Sequence, residues 1–282
     1  MKKDYKAGTF DSRIISYENI HSITEEQKDA LLHAVNLQEG EKVLDACCGY
    51  GSVTNWLIGV ESNANFYLSD ASYVQLQRAE ENLPESCTFS LADTKELPYE
   101  ENFFDKVVLK MGLHENSFSK QKDIVDELFR VLKPGGILIV WELYLNEENQ
   151  VIFQDFIRKK DELSGFTKLV ERRYFQRKDE IKKFLDEAGF INFKEELVFN
   201  PELHTKVRFK ELVSREMKES GDQEMTDDIK TLAQSRLNEL NDFLRALSDE
   251  QKEIIEMEDL GDDIVVRNIE KGIVVAQKPF TD

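Results

Sequence analysis

Short apolar runs alternate with amphipathic stretches along most of the chain, beginning near residue 42. The apolar runs have the length of strands, and we predict strands at 42–45, 65–69, 88–91, 106–109, 136–141, 191–199 and 272–277. The intervening stretches carry apolar residues at helical spacing, which predicts helices at 53–58, 74–82, 124–132 and 178–187. Strands that alternate with helices in this way are typical of βα units on a parallel sheet.

The pattern differs at the two ends of the chain. A capping box, Thr24 with Gln27, predicts a helix that ends near residue 40. From 201 to 261 the strand pattern vanishes, apolar residues recur at helical spacing, and Ser248 with Gln251 forms a second capping box. We therefore predict three parts: an N-terminal helical cap at 1–39, a sheet domain at 40–200 plus 269–282, and a helical insertion at 201–268 that serves as a substrate cap or an oligomerisation surface.

Charge and cysteine content narrow the partners. Asp and Glu outnumber Lys and Arg by 56 to 37, a formal net charge of −19, which argues against nucleic acid as the main partner. No apolar run reaches the roughly 18 residues of a membrane helix, and no apolar segment of a secretory signal follows the N-terminus. The three cysteines, two of them adjacent, suit a reducing compartment better than a disulfide framework. We expect a cytoplasmic protein that acts on a small molecule and does not insert into membranes.

Candidate chemistry begins where the first predicted strand meets a glycine turn, in the segment DACCGYGS at 45–52. Such a turn lets a ligand approach the backbone and the start of the next helix closely. Asp70 stands at the end of the second strand, where a carboxylate can accept both ribose hydroxyls of a nucleoside. Asp93 follows the third strand and can accept a hydrogen bond from an adenine amino group. Acidic residues at three successive strand ends suit a cationic sulfonium nucleoside better than an anionic pyrophosphate.

Six stretches support a more specific interpretation: VLDACCGYG (43–51), LSDAS (68–72), ADTKELPY (92–99), FDKVV (104–108), LFRVLKPGG (128–136) and EAGF (187–190). In this order they resemble the class I S-adenosylmethionine-dependent methyltransferases, over roughly residues 40–200 and 271–278. The segment Met111–Glu115 is also similar to its equivalent in the ubiquinone/menaquinone C-methyltransferases of the type 11 group. The resemblance implies an α/β fold: a doubly wound, Rossmann-like, mostly parallel seven-stranded sheet with an antiparallel last strand.

The resemblance also implies roles for individual residues, with S-adenosylmethionine as cofactor and S-adenosylhomocysteine as product. The predicted cofactor-binding residues are Asp45, Cys47, Gly49 and Gly51 for the methionine portion, Asp70 and Ala71 for the ribose, Asp93 and Thr94 for the adenine, and the Lys110 carbonyl for the methionine ammonium. Two positions depart from the common pattern. Many members have Gly in place of Cys47 and Thr in place of Tyr50, and the larger tyrosine could reshape the pocket.

Catalytic and substrate-lining residues are expected near the ends of the fourth and fifth strands. His114 could accept a proton from the methyl acceptor near neutral pH, or it could be an ordinary hydrogen-bonded loop residue. Glu115 is a second catalytic candidate. The predicted substrate-lining residues are Tyr17, His21, Glu142 and Tyr144, of which Tyr17 and His21 could equally be packing residues of an N-terminal helix.

The predicted function is methyl transfer to a small-molecule acceptor through O, N or C. One alternative is a protein that binds S-adenosylmethionine without methyl transfer, either a cyclase-type enzyme or an inactive partner subunit. Another is that the insertion docks a basic partner protein. No metal is expected, because adjacent Cys47 and Cys48 chelate a tetrahedral metal poorly and have no nearby histidine. The amphipathic stretch 229–247 is typical of a core or a homodimer surface.

Overall fold

The computed structural model describes residues 9–13, 23–61, 63–221 and 224–280. The chain divides into two compact units. The sheet unit contains Ile23–Tyr144, Gln176–Phe199 and the segment from Lys271 onward, and the helical unit contains Leu145–Phe175 and Asn200–Glu270 together with residues 9–13. These bounds differ from the predicted ones, since 145–175 lies with the insertion and the helix at 25–35 lies with the sheet. The roles given to the cap and the insertion stay predictions.

Regular elements cover most of the described residues. The strands are β1 (Lys42–Ala46), β2 (Asn65–Asp70), β3 (Thr88–Leu91), β4 (Phe104–Lys110), β5 (Leu132–Leu143), β6 (Ile191–Phe199), β7 (Leu203–His204), β8 (Glu258–Asp259), β9 (Ile264–Val266) and β10 (Lys271–Gln277). The α-helices are α1 (Glu25–Val35), α2 (Ser52–Ile58), α3 (Tyr73–Asn82), α4 (Phe118–Val131), α5 (Glu147–Leu163), α6 (Thr167–Val170), α7 (Lys178–Ala188), α8 (Ser214–Ser220), α9 (Asp227–Arg245) and α10 (Asp249–Ile254).

The sheet unit is built on a seven-stranded sheet of order β3-β2-β1-β4-β5-β10-β6. The first five strands along the chain run parallel, and β10 is antiparallel to both of its neighbours. This confirms the predicted fold class, including the antiparallel last strand. Because β1 lies between β2 and β4, the chain segments after these three parallel strands emerge side by side at the carboxyl ends of the strands.

Helices cover both faces of this sheet, as predicted. Alternate residues of one strand point to opposite faces, so Val107 and Val108 on β4 belong to different apolar clusters. The Val107 cluster contains Leu128 of α4, and the Val108 cluster contains Leu31 of α1 and Leu57 of α2. The continuous apolar strand pattern is explained by burial on both faces.

The helical unit contains the largest departures from the sequence prediction. Helix α5 was not predicted, although Asn146 and Asn149 form a capping box at its start and apolar residues recur at helical spacing within it. The predicted insertion is also not purely helical, because β7, β9 and β8 form a small antiparallel sheet. Strands of two or three residues are too short to show a period in the sequence.

A buried ion cluster holds several segments of the helical unit together. The Glu211 carboxylate lies 3.1 Å from the Lys160 ammonium, 3.1 Å from Arg208 and 3.5 Å from Arg13. Burial raises the pKa of Glu211, but the charges of Lys160, Arg13 and Arg208 outweigh it and hold that pKa well below its usual range. Such a network links α5 to the segment around Arg13. Removing one partner destabilises the protein, because it leaves an uncompensated buried charge.

Two further predictions concern the N-terminal residues and membrane insertion. Tyr17 and His21, predicted to line the substrate site, lie outside the described residues. Among the helices that the structure describes, none combines the length and the apolar character needed to cross a bilayer.

Helix α2 begins at a glycine that packs closely against the Leu83 side chain. Gly51 is its N-cap residue, with φ of 80° in the left-handed region. A Cβ added to Gly51 would lie 2.5 Å from Leu83 Cδ1 and 3.4 Å from Ala79 Cβ on α3. Alanine at Gly51 would therefore be strained in its backbone and would displace the Leu83 side chain from its packed position.

Replacing Gly51 by alanine tests both effects. Gly40→Ala is the matched control, because Gly40 has φ of 77° and nothing within 4 Å of an added Cβ. We expect the control to lose about 1 kcal/mol of unfolding free energy from backbone strain, and Gly51→Ala to lose about 2 kcal/mol more from overpacking. Urea unfolding of the three proteins measures this difference. Equal losses in the two variants would contradict the packing argument.

Candidate functional site

The turn after β1 is held in an unusual backbone conformation. Cys47, Gly49 and Gly51 have φ of 57°, 55° and 80°, all in the left-handed region. Only glycine adopts this conformation without strain, so the non-glycine Cys47 carries a cost of about 1 kcal/mol or more. Nothing lies within 4 Å of a Cβ built on Gly49. The space next to the Gly49 Cα, where a side chain would lie, is therefore open, and a ligand can approach the backbone there.

Asp70 lies at the end of β2, directly beside this turn. Its Oδ2 accepts a 2.9 Å hydrogen bond from the Gly49 amide, and its Oδ1 accepts a 2.8 Å hydrogen bond from the Ser72 amide. The N-cap of α3 is Ser72, whose hydroxyl accepts from the Gln75 amide. Asp70 is thus not the N-cap of α3, and its half-buried carboxylate points to the glycine turn.

Asp45, at the other side of the turn, is only 2% exposed. Its Oδ2 accepts hydrogen bonds from the Thr54 amide and hydroxyl, at 3.2 and 2.8 Å. Burial raises the pKa of Asp45 to about 7, although the Thr54 hydrogen bonds and the charge of Lys110 lower it. This carboxylate therefore ties β1 to the first turn of α2.

Asp93 and Thr94, the residues predicted to bind adenine, follow β3 and lie at the same ends of the strands as the glycine turn. The Thr94 hydroxyl is 3.1 Å from the Cys47 thiol, which connects the segment after β3 to the turn after β1. Asp93 is about half exposed, and its carboxylate accepts from the Lys95 amide at 3.1 Å and from the Lys95 ammonium at 2.8 Å. A ligand that binds Asp93 must therefore share that carboxylate with Lys95.

The two residues that depart from the family pattern have partners in the structure. Burial, together with the charge of Asp70, raises the pKa of the Cys47 thiol far above its usual value, and the same causes act on Cys48. Both thiols stay protonated and unreactive. Tyr50 faces α3, where its hydroxyl accepts a hydrogen bond from Arg78 and its ring centroid lies 5.0 Å from the guanidinium carbon. Within the described residues, no three side chains are arranged to hold a metal ion.

Lys110 ends β4 on the other side of β1. Its ammonium lies 5.5 Å from the ring centroids of both Trp56 and Trp141, a cation–π arrangement. The next residue, Met111, has φ of 55°, and its amide donates to the Trp141 carbonyl at 2.8 Å. The chain therefore turns sharply after Lys110 and enters the 3₁₀ turn Leu113–Glu115.

Two side chains of the 3₁₀ turn meet one from β5 in a group of three ionisable residues, which we call the Glu142–His114–Glu115 array. His114 Nδ1 lies 2.6 Å from Glu142 Oε1, and His114 Nε2 lies 3.1 Å from Glu115 Oε1. Glu142 on β5 is 0% exposed and also accepts from the amides of Leu113 and Leu143, at 3.1 and 3.0 Å. With donors on both oxygens, the buried Glu142 carboxylate is well compensated.

This geometry favours an imidazolium, because each ring nitrogen faces a carboxylate oxygen and both must donate. Burial lowers the pKa of His114, but the charges of Glu142 and Glu115 and their hydrogen bonds outweigh it and raise the pKa to about 9. An imidazolium has no lone pair with which to accept a proton. The structure therefore argues against His114 as a general base near neutral pH.

Two predicted substrate-lining residues are buried. Glu142 acts on its surroundings through His114, since its carboxylate is inaccessible. Tyr144 is 5% exposed, and its ring packs so closely on Gly272 that an added Cβ there would lie 2.4 Å from Tyr144 Cε2. Glu142 thus supports the loop after β4 and Tyr144 packs on β10, and their role as substrate-lining residues stays a prediction.

Sequence reasoning missed Thr54 and Arg78, which hold Asp45 and Tyr50 in place. The signal for Thr54 was present, since a hydroxyl in the first turn after a glycine turn can reach back to the preceding strand. The partnership of Tyr50 and Arg78 depends on the packing of α3, so the sequence carried no comparable signal.

Comparisons with known proteins match the part of the chain that carries this site. A family model described as a methyltransferase domain matches residues 37–189. An uncharacterised methyltransferase of Synechocystis sp. is 37% identical over 113 residues, which are 40% of this chain and 52% of that protein. A ubiquinone/menaquinone biosynthesis C-methyltransferase of Neisseria gonorrhoeae is 32% identical over 119 residues, 41% of this chain and 48% of that protein. The matched part thus spans about half the length of these two curated relatives.

One solved structure illustrates the likeness in fold. A Bacillus halodurans protein assigned as a methyltransferase superposes with a TM-score of 0.68 at 20% sequence identity, covering 90% of this chain and 99% of that one. At this identity the superposition shows a shared fold and carries no information on the substrate.

The charge state of His114 can be tested through stability. A pKa raised from 6.5 to about 9 contributes stability that is fully present below pH 6.5 and is lost as the pH rises through 9. We expect the proton-linked part of this stability, about 3 kcal/mol near pH 7, to be absent from His114→Gln, so that the gap between the two proteins narrows by about that amount by pH 10. Urea unfolding from pH 6 to pH 10 measures both curves. A constant gap between them would show that His114 carries no proton-linked stability.

Proposed function

Because the chain belongs to the methyltransferase domain family, we propose that it transfers a methyl group from S-adenosylmethionine to a small-molecule acceptor. The observation that carries this proposal is the pairing of Asp70 with Gly49, which puts a carboxylate beside an open left-handed glycine turn. A nucleoside needs a hydroxyl-binding carboxylate, and its sulfonium-bearing tail needs close access to a backbone turn. Both features lie at the strand ends where open α/β sheets bind ligands.

The residues around the turn fit this donor. Asp70 and the neighbouring Ala71 would bind the ribose, and the open backbone at Gly49–Gly51 would receive the methionine portion. Asp93 and Thr94 would meet the adenine, in competition with Lys95 for the Asp93 carboxylate. Asp45 and the Lys110 carbonyl would favour the methionine ammonium. The sulfonium, when bound, supplies an activated methyl group.

The contribution of the protein is mainly alignment and charge. A methyl group is displaced in line from sulfur to the nucleophile, so a site that orders both partners and excludes water lowers the barrier. The imidazolium at His114 makes it an unsuitable proton acceptor. We therefore favour an acceptor whose nucleophile is ionised before transfer or gives its proton to another group.

The acceptor class is suggested by charge and by the relatives. A net charge of −19 disfavours a polyanionic substrate. One relative is named for ubiquinone and menaquinone biosynthesis, and another, from Staphylococcus aureus, is named demethylmenaquinone methyltransferase. Reduced quinones are therefore the first small molecules to screen. A cytoplasmic location and a homodimer formed through residues 201–268 remain part of the proposal.

Isothermal titration with S-adenosylhomocysteine tests the donor site. We expect micromolar binding by the native protein and at least about tenfold weaker binding by Asp70→Ala, because hydrogen bonds to a charged group are lost. Asp186→Ala is the matched control, since Asp186 is an exposed aspartate of α7 in the same unit. NAD is the control ligand and should not bind. Native protein that binds NAD but not S-adenosylhomocysteine would overturn the proposal.

A further inference from the structure

The loop after β4 packs directly against the turn after β1. These two strands are neighbours in the sheet, with Ala46 paired to Leu109. A Cβ built on Gly112 would lie 2.8 Å from the Cys47 thiol sulfur and 2.9 Å from Leu109 Cδ1. The backbone at Gly112 and the turn at Cys47 are therefore in close contact, which brings the adjoining 3₁₀ turn beside the proposed methionine site.

The position of the Glu115 side chain is fixed by a series of buried contacts. His114 Nε2 lies 3.1 Å from Glu115 Oε1, and the same ring is fixed from behind by Glu142, 2.6 Å from Nδ1. Glu142 is fixed in turn by the backbone amide of Leu113. Charge-assisted hydrogen bonds of this kind define the position of a side chain closely. Glu115 is 14% exposed, so its carboxylate is sheltered without being sealed.

The array contains one more acidic than basic side chain, because the His114 ring stands between two carboxyl groups. Its negative charge reaches the turn: after burial and the charge of Asp70, the charge of Glu115 contributes to the raised pKa of the Cys47 thiol. Opposite charges interact more strongly in such a sheltered place than in bulk water. A positive charge bound beside the turn would therefore be stabilised.

We propose that Glu115 recognises the positive charge of the sulfonium and thereby makes the site prefer S-adenosylmethionine over S-adenosylhomocysteine. This inference rests on the proposed function. Transfer of the methyl group breaks the bond to sulfur and leaves a neutral thioether, so the attraction to Glu115 is lost with the reaction. The demethylated product then binds less tightly and leaves more readily. His114 and Glu142 are positioning residues, which hold Glu115 and do not contact the donor.

The two ligands give a direct test without any methyl acceptor. Titration of the native protein and of Glu115→Gln with S-adenosylmethionine and with S-adenosylhomocysteine yields a preference ratio for each protein. We expect Glu115→Gln to bind S-adenosylmethionine about fivefold more weakly, with less than about a twofold change for S-adenosylhomocysteine. Glu85→Gln is the matched control. Glu85 is an exposed glutamate just before β3, so it lies at the opposite ends of the parallel strands from Glu115, which follows β4.

A second variant protects the test against a folding defect. Glu115→Asp keeps the charge and shortens the side chain, so its preference should lie between those of the native protein and Glu115→Gln. Equal preference ratios in the native protein and both variants, or a parallel loss of both ligands, would overturn the inference. Absence of S-adenosylhomocysteine binding by the native protein would overturn the proposed function itself.

Discussion

The structure of the site depends on the contact between the glycine turn and the end of β2, where the Gly49 amide donates to the Asp70 carboxylate and the Cys48 amide donates to the Ser69 carbonyl. These bonds join the turn after β1 to the end of β2, and the turn has a conformation that few residues adopt, with φ of 57°, 55° and 80° at Cys47, Gly49 and Gly51. Further contacts build on this position, since α3 packs against Gly51 and Thr94 reaches Cys47. A carboxylate, a backbone turn and the start of a helix thus meet at the carboxyl ends of β1 and β2.

A second group of contacts joins β4 and β5 to the same turn. The contact of Gly112 with Cys47 fixes how the chain leaves β4, and the Glu142–His114–Glu115 array fixes the 3₁₀ turn beyond it. Burying two carboxylates would be costly alone, and the imidazolium between them offsets this cost. The same carboxylates raise the pKa of His114, which favours a protonated ring over a proton acceptor near neutral pH.

The sheet was predictable because its strands are buried on both faces and form short apolar runs between turn residues. The capping boxes at Thr24 and Ser248 were predictable for a similar reason, since each depends on residues three positions apart. The charge state of His114 was not predictable, because its partner Glu142 lies 28 residues away on a neighbouring strand. The small sheet of the helical unit escaped because its strands are too short to show a period.

The central claim is that a sulfonium nucleoside binds on the turn that Asp70 holds. The most direct measurement is a crystal structure of the protein with S-adenosylhomocysteine. The account predicts the ribose hydroxyls at hydrogen-bond distance, about 3 Å, from the Asp70 carboxylate, and the methionine portion against Gly49–Gly51. A nucleoside bound elsewhere on the sheet unit, with no ligand at this turn, would contradict it.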